Sequence, residues 1–333
     1  MKKIIFRTMG GPIIGYGHLF RSYSLAKAFR KICKDLEIIF IINTEIVETF
    51  LEQGMEFEYF INDDFSEDIN MVETIKPDLF ILDSYLASNN YISILKQYSK
   101  IMLFDDNNDT YDSTIPDIIL NGNIYANELK YSLSKDGLYL LGPKFLVMRE
   151  EYWKNNSFSY SQKSGVLITT GGTDVHMISF QILNSLKQTP FKKRLVIGPG
   201  YDKVLINKLE TLKDKNIELI YQPKSLQKYI EDSMVVITAG GSTIYEVLAQ
   251  KTTPIIYSMA DNQDMACEYF KRHGLSFLGK YPDIAYNNLK SIVINVMESG
   301  KTLNDNIFNL VDGSGARKIV EKVCKFLNKE CTH

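Results

Sequence analysis

Short apolar runs alternate along the chain with longer stretches whose apolar positions recur every three to four residues, the pattern of strands separated by amphipathic helices. Runs at IIF (4–6), LEIIFII (36–42), DLFILD (78–83), KIMLFDD (100–106) and DIIL (117–120) predict strands, with helices predicted at 19–33, 45–53, 66–76 and 88–98. The rhythm breaks at the polar stretch EEYWKNNSFSYSQKSG (150–165) and then resumes. GVLITTGG (165–172), RLVIGPG (194–200), IELIY (217–221), VVITAGG (235–241) and TPIIYS (253–258) predict a second set of strands, each followed by a helical segment. Strands alternating with helices argue for parallel sheets built from βαβ units. The expected organisation is therefore an α/β chain with a first domain over 1–150, a linker over 151–164 and a second domain over 165–312. The closing segment 313–330, GSGARKIVEKVCKFLNKE, reads as an amphipathic helix able to cap either domain. Two successive doubly wound halves predict a cleft, with ligands bound beyond the carboxyl ends of the strands.

Composition removes several alternatives. A chain of 333 residues exceeds one ordinary core, which agrees with two domains. A formal charge of −2 and a pI near 6.2 supply no basic field, so no nucleic-acid partner is expected. No apolar run approaches the roughly 20 residues of a membrane span, and MKKIIFRTMGG reads as a first strand, not a leader. Cys33, Cys267, Cys324 and Cys331 form no CxxC pair and have no histidine at ligand spacing. Neither a metal site nor a disulfide framework is indicated, and a cytoplasmic, reduced protein is expected.

Three strand-to-helix loops carry the candidate chemistry: GYGH (15–18), TTGGTD (169–174) and TAGGST (238–243). Free N–H groups and the helix dipole at such a junction suit phosphate, and glycine lets the backbone approach it. Gly171, Gly172, Thr173, Gly240, Gly241, Ser242 and Thr243 are accordingly candidate nucleotide-binding residues, although turn and N-cap chemistry has the same composition. None of these loops is a GxGxxG or a GxxxxGKS, which disfavours a nicotinamide or P-loop nucleotide. Glu246, one helical turn beyond Ser242, could accept hydrogen bonds from ribose hydroxyls. Asn262 and Gln263, in ADNQDMACEYF (260–270), could read a diphosphate or sugar hydroxyls. In the first half, Asp83, Tyr85, Asp105 and Asp106 stand at or just after strand ends, where a carboxylate serves equally as a loop cap or in catalysis. His18 differs, being one of only four histidines in the chain. Imidazole is a base near neutral pH, and the positive end of a helix disfavours its cationic form.

IGYGHLFRSYSLA, LFDDNNDTYDSTIPDIILNGN, LLGPKFLVMREEYW, TTGGTD, ITAGGSTIYEVLA and ADNQ, in that order along nearly the whole chain, resemble the UDP-2,4-diacetamido-2,4,6-trideoxy-β-L-altropyranose hydrolases of pseudaminic acid biosynthesis and their spore coat polysaccharide relatives. The resemblance implies a GT-B fold, two Rossmann-like domains facing across a cleft, similar to the glycosyltransferase that makes the lipid-linked peptidoglycan precursor. It implies cleavage of the bond between the anomeric carbon and the UDP oxygen, with inversion and without a metal or cofactor. His18 would activate or position water, Tyr85 and Asn262 would contact substrate, and the Gly-Gly loops and Glu246 would hold diphosphate and ribose. Gly15, Gly17, Arg21 and Gln263 join the expected substrate-binding set, Gly15 and Gly17 by admitting the sugar and Arg21 in a supporting role. The expected partner is a small nucleotide sugar, and the expected state a monomer. Thr8, Met9, Gly10 and Gly11 depart from the family's FR-x-D segment, so the sugar itself stays open. Transfer of the sugar to an acceptor, and binding without turnover, are the other readings the sequence admits.

Overall fold

The computed structural model describes residues 1–52, 54–132, 134–153, 162–299 and 305–330. Most of the expected linker therefore lies outside the described residues. The chain divides into one unit of Met1–Trp153 with Gly313–His333 and another of Lys154–Asp312.

The first unit is built on a parallel sheet of β1 (Lys3–Thr8), β2 (Glu37–Ile42), β3 (Glu58–Ile61), β4 (Leu79–Asp83), β5 (Lys100–Phe104), β6 (Ile118–Asn121) and β7 (Leu138–Leu141). Between the first five strands run α1 (Gly17–Ile32), α2 (Val47–Glu52), α3 (Phe65–Ile75) and α4 (Asn89–Leu95). The strand order 3-2-1-4-5-6-7 puts the topological switch between β1 and β4. Both faces of this sheet are covered, which is why its strands read as continuous apolar runs. Ile4, Phe6, Phe40 and Ile81 pack with Leu25 and Phe29 of α1, while Ile5, Ile39, Phe80 and Leu82 pack with Val72, Tyr91 and Ile92 on the other side.

The second unit has a parallel sheet of β8 (Val166–Thr169), β9 (Lys193–Ile197), β10 (Ile217–Tyr221), β11 (Val235–Ala239), β12 (Thr253–Ser258) and β13 (Ser276–Lys280). Its helices are α5 (Ile178–Leu186), α6 (Lys203–Thr211), α7 (Gln227–Glu231), α8 (Thr243–Ala249), α9 (Asp261–Arg272), α10 (Tyr286–Ser299) and α11 (Asp305–Leu310). The order 10-9-8-11-12-13 again places a switch, here between β8 and β11.

The closing helix, α12 (Gly315–Glu330), joins the first unit. Ala316, Ile319, Val320, Val323 and Leu327 lie on one stripe and enter the same core as Phe6 and Phe29. Each fully buried Val or Ile stabilises by roughly 1.5–3 kcal/mol, which decides between the two placements the sequence allowed. Among the described residues, no helix is long and apolar enough to cross a membrane.

Candidate active site

The switch of the first sheet gathers the site. β1 pairs with β4 in a register that sets Thr8 beside Asp83, so the loop after β1 and the end of β4 meet where the connections diverge in opposite directions. α1 begins at Gly17, with His18 in its first turn and Arg21 on the next. The Nδ1 atom of His18 lies 2.5 Å from Asp83 Oδ1. Arg21 donates to the same carboxylate from Nη2 at 2.6 Å and Nε at 2.8 Å. Ser22 adds its hydroxyl at 3.0 Å. The other side of the Arg21 guanidinium donates from Nη1 to both oxygens of Asp106, at 3.0 and 2.8 Å. Asp106 also accepts the Tyr85 hydroxyl and, at 3.1 Å, the Asn123 amide. Tyr85 returns to His18 edge-on, ring centroids 4.8 Å apart at 81°.

Charge sets the protonation pattern. Burial alone would raise the Asp83 carboxyl, but Arg21 and His18 hold it well below the usual carboxylate range. Asp106 is lowered in the same way, with burial opposed by Arg21 and Tyr85. Two carboxylates without protons force the hydrogens to come from their partners. His18 therefore carries a hydrogen on Nδ1, and in the neutral imidazole Nε2 is then the acceptor. Arg21 Nη2 also lies 3.1 Å from Nδ1, but that nitrogen has no lone pair to offer. Burial and Asp106 hold the Tyr85 hydroxyl well above the usual phenol range, so it stays a neutral donor to Asp106.

Adjacent Asp105 has the other fate open to a strand-end carboxylate. Its Oδ1 accepts the N–H groups of Asn107 at 3.0 Å and Asn108 at 2.6 Å, closing the loop. The sequence could not separate it from Asp106. Asp83 and Asp106 are the residues that sequence reasoning left without a role, because what distinguishes them is Arg21, 62 and 85 positions away.

The departure segment just upstream has a structural explanation. Gly11 and Gly15 exchange backbone hydrogen bonds of 3.2 and 2.7 Å, closing a small loop that carries Pro12, Ile13 and Ile14 next to the first turn of α1. Asn43 grips Gly10 from both sides, at 3.0 and 2.8 Å. A Cβ on Gly10 would stand 2.7 Å from the Gly15 carbonyl, so this closure needs glycine. Ile13 at the tip is 96% exposed. Arg7 belongs to the opposite side of the sheet, buried and paired with Asp68 at 2.8 Å.

In the second unit, both Gly-Gly loops leave the strands that flank the switch, β8 and β11. The first differs from expectation. α5 does not start until Ile178, and Asp174 accepts the N–H groups of Ile178 and Ser179, each at 2.8 Å. Its own carboxylate thus fills the helix N-terminus. Gly171, at φ +96°, and Gly172 instead meet open space beside exposed Thr173, with the Gly172 carbonyl accepting from Gly200 at 2.8 Å. The second loop runs directly into α8, with exposed Ser242 at the N-cap making no side-chain cap bond. Thr243 and Glu246 follow in the first turn of that helix. Gly240 packs so tightly that a Cβ would lie 2.4 Å from Cys267 Sγ and 3.0 Å from Gln263 Cβ, whereas Gly241 faces open space. Gln263 is thereby brought to this loop, although its Oε1 is engaged by the Met259 N–H at 2.9 Å. Asn262 is exposed at the start of α9.

No protein-family model matches the chain. A UDP-2,4-diacetamido-2,4,6-trideoxy-beta-L-altropyranose hydrolase of Campylobacter jejuni is 27% identical over 292 residues, 84% of this chain and 100% of that protein. The kinship read from the motifs is present. An uncharacterized protein of Methanocaldococcus jannaschii is 28% identical over 262 residues, 74% of this chain, and the match spans only 53% of that relative's length. Among solved structures, MurG of Acinetobacter baumannii superposes with a TM-score of 0.67 at 10% identity, covering 99% of this chain and 100% of that one. Spinosyn forosaminyltransferase SpnP does so with a TM-score of 0.68 at 12% identity, covering 98% and 99%. At such identities the likeness concerns the fold alone, and that fold is GT-B.

Proposed function

We propose that the chain is an inverting nucleotide-sugar hydrolase that cleaves the bond between the anomeric carbon and UDP, releasing UDP and a free deoxy-diacetamido sugar. The observation that supports this reading is the His18–Asp83 pair at the switch point of the first sheet, which engages Nδ1 and makes Nε2 of the neutral ring the basic nitrogen. The named hydrolase kinship supports the choice of UDP-sugar chemistry and of nonulosonic (pseudaminic-type) acid or surface polysaccharide biosynthesis as its setting. In this mechanism Nε2 takes a proton from water as the water oxygen attacks the anomeric carbon on the face opposite the leaving group. The C–O electron pair departs with UDP. UDP needs little acid assistance once its charge is held by backbone donors, the role assigned to Gly171, Gly172, Thr173, Gly240, Gly241, Ser242 and Thr243, with Glu246 on the ribose. Asn262 and Gln263 serve the substrate at the start of α9, and Tyr85 contacts it next to His18. Arg21 acts through Asp83 and Asp106 and not on the substrate directly. No step calls on a metal, and the active species is a monomer.

The test is incubation of purified protein with a panel of UDP- and CMP-linked amino sugars, reading nucleotide release and the anomeric configuration of the first-formed product by NMR. Free sugar of inverted configuration is expected, with His18→Ala at least a hundredfold slower. Transfer to an added acceptor without free sugar, or an undiminished His18→Ala, refutes the proposal.

A further inference from the structure

The hydrogen-bond directions around His18 and Tyr85 determine what nucleophile can sit between them. Asp83 accepts the Nδ1 hydrogen, so in the neutral imidazole that serves as base Nε2 can only accept. Asp106, held by two bonds from Arg21 and one from Asn123, has no hydrogen to give, so the single Tyr85 hydroxyl hydrogen goes to it. The remaining lone pairs of that oxygen can only accept. Two acceptors thus stand on rings whose centroids are 4.8 Å apart.

We infer that His18 Nε2 and the Tyr85 hydroxyl oxygen form an all-acceptor seat that selects water over alcohols as nucleophile, with Asp106 the positioning residue that keeps Tyr85 an acceptor. This inference rests on the hydrolase reading above. A water molecule has two hydrogens and satisfies both acceptors, leaving an oxygen lone pair for the anomeric carbon. An alcohol has one hydrogen and leaves the second acceptor against its carbon substituent. Tyr85 is 42% exposed in the chain alone, and once the bound sugar excludes solvent from it, leaving one acceptor unpaired corresponds to a discrimination of roughly tenfold to hundredfold. In the reaction the new bond joins the water oxygen to the anomeric carbon, the bond to the UDP oxygen breaks with its electron pair on UDP, and one water proton passes to Nε2. The other stays on the product hydroxyl. The same fold can therefore serve a hydrolase here without a steric barrier to acceptors.

The experiment is partitioning in a water–methanol mixture, using the nucleotide sugar that the panel identifies as turned over. The ratio of methyl glycoside to free sugar is measured by mass spectrometry and is independent of how fast either forms. Wild-type protein is expected to give methyl glycoside at least about tenfold below the mole fraction of methanol. Tyr85→Phe removes the second acceptor and raises the ratio by about tenfold or more. Asp106→Asn does the same with Tyr85 intact: Arg21 claims the amide oxygen, the amide N–H faces the phenol, and the phenol hydrogen turns into the site. A merely structural loss would lower kcat and leave the ratio unchanged. Wild-type partitioning at the mole fraction, or an unchanged ratio in Tyr85→Phe with UDP release persisting, overturns the inference while leaving hydrolysis standing. Absence of UDP release from every sugar in the panel sinks the hydrolase reading itself.

Discussion

Replacing Asp83 with asparagine tests the centre of the site. The carboxylate accepts hydrogens from His18 Nδ1, Arg21 Nη2, Arg21 Nε and the Ser22 hydroxyl. An asparagine in either orientation opposes one of its amide hydrogens to an Arg21 N–H. With the amide nitrogen toward His18, the imidazole is also driven to the tautomer whose hydrogen sits on Nε2, and the base is lost. General-base assistance is worth about 10²–10⁴ in rate, or about 3–5 kcal/mol of transition-state free energy. Breaking a buried ion pair by removing one charge costs roughly 3–5 kcal/mol of stability. The low end is expected here, since Arg21 keeps Asp106. The assay is initial-rate UDP release, with circular dichroism and urea melts to confirm folding. We expect kcat to fall at least a hundredfold with KM little changed. Because Asp83 acts through His18, the double variant with His18→Ala should be no slower than His18→Ala alone. A folded Asp83→Asn with wild-type kcat, or a double variant whose losses multiply, would refute the idea that Asp83 sets the tautomer.

Three further outcomes are expected. Gly240→Ala places a methyl 2.4 Å from Cys267 Sγ and should lower stability by about 1–3 kcal/mol in a urea titration, while Gly241→Ala, facing open space, should leave the urea midpoint within error. The pH dependence of stability should carry the mark of Asp83 and Asp106, which are lowered in the folded state. Their contribution is complete above the unfolded carboxylate value near ~3.9 and is lost as pH falls below it toward the folded values. Wild type should therefore lose more stability than Asp83→Asn as pH falls from about 4 to 2, and parallel losses would contradict the assigned charge state. Activity should survive exhaustive chelation, since no group of His, Cys, Asp and Glu suited to a metal occurs among the described residues. Loss with EDTA and rescue by magnesium would overturn a metal-free mechanism.

The central strands were legible because each is buried on both faces and so reads as an unbroken apolar run, as in EIIFII and TPIIYS. The edges were not. EYFI of β3 is exposed along most of its length, with Phe60 at 42% and Ile61 at 52%, so burial left no pattern to read. SFLGK of β13 is interrupted by Gly279 and ends on Lys280, which pairs with Asp261 and Asp264. Local signals also marked the site in part. His18 and both Gly-Gly loops declare themselves by composition next to a strand. The carboxylates that orient His18 and Tyr85 look the same in sequence as Asp105, a loop cap, because their function is assigned by β1–β4 register and by one arginine. The length of the TTGGTD loop was hidden as well, since nothing local shows that Asp174 occupies the helix start.

Helix α12 makes the order of synthesis matter. The residues that seal the first core, Ile319, Val320 and Val323, are the last apolar ones of that core but Leu327 to leave the ribosome, whereas Lys154–Asp312 is contiguous and complete before them. Chains emerge N-terminus first and domains fold as units. The second unit can thus reach its native state while the first, begun earlier, still exposes the apolar bed for α12 on α1 and the sheet. A released chain ending at residue 312 would hold one complete unit and one without its closing helix. In such a chain His18 would be present, but the core beneath α1 would lack its closing helix.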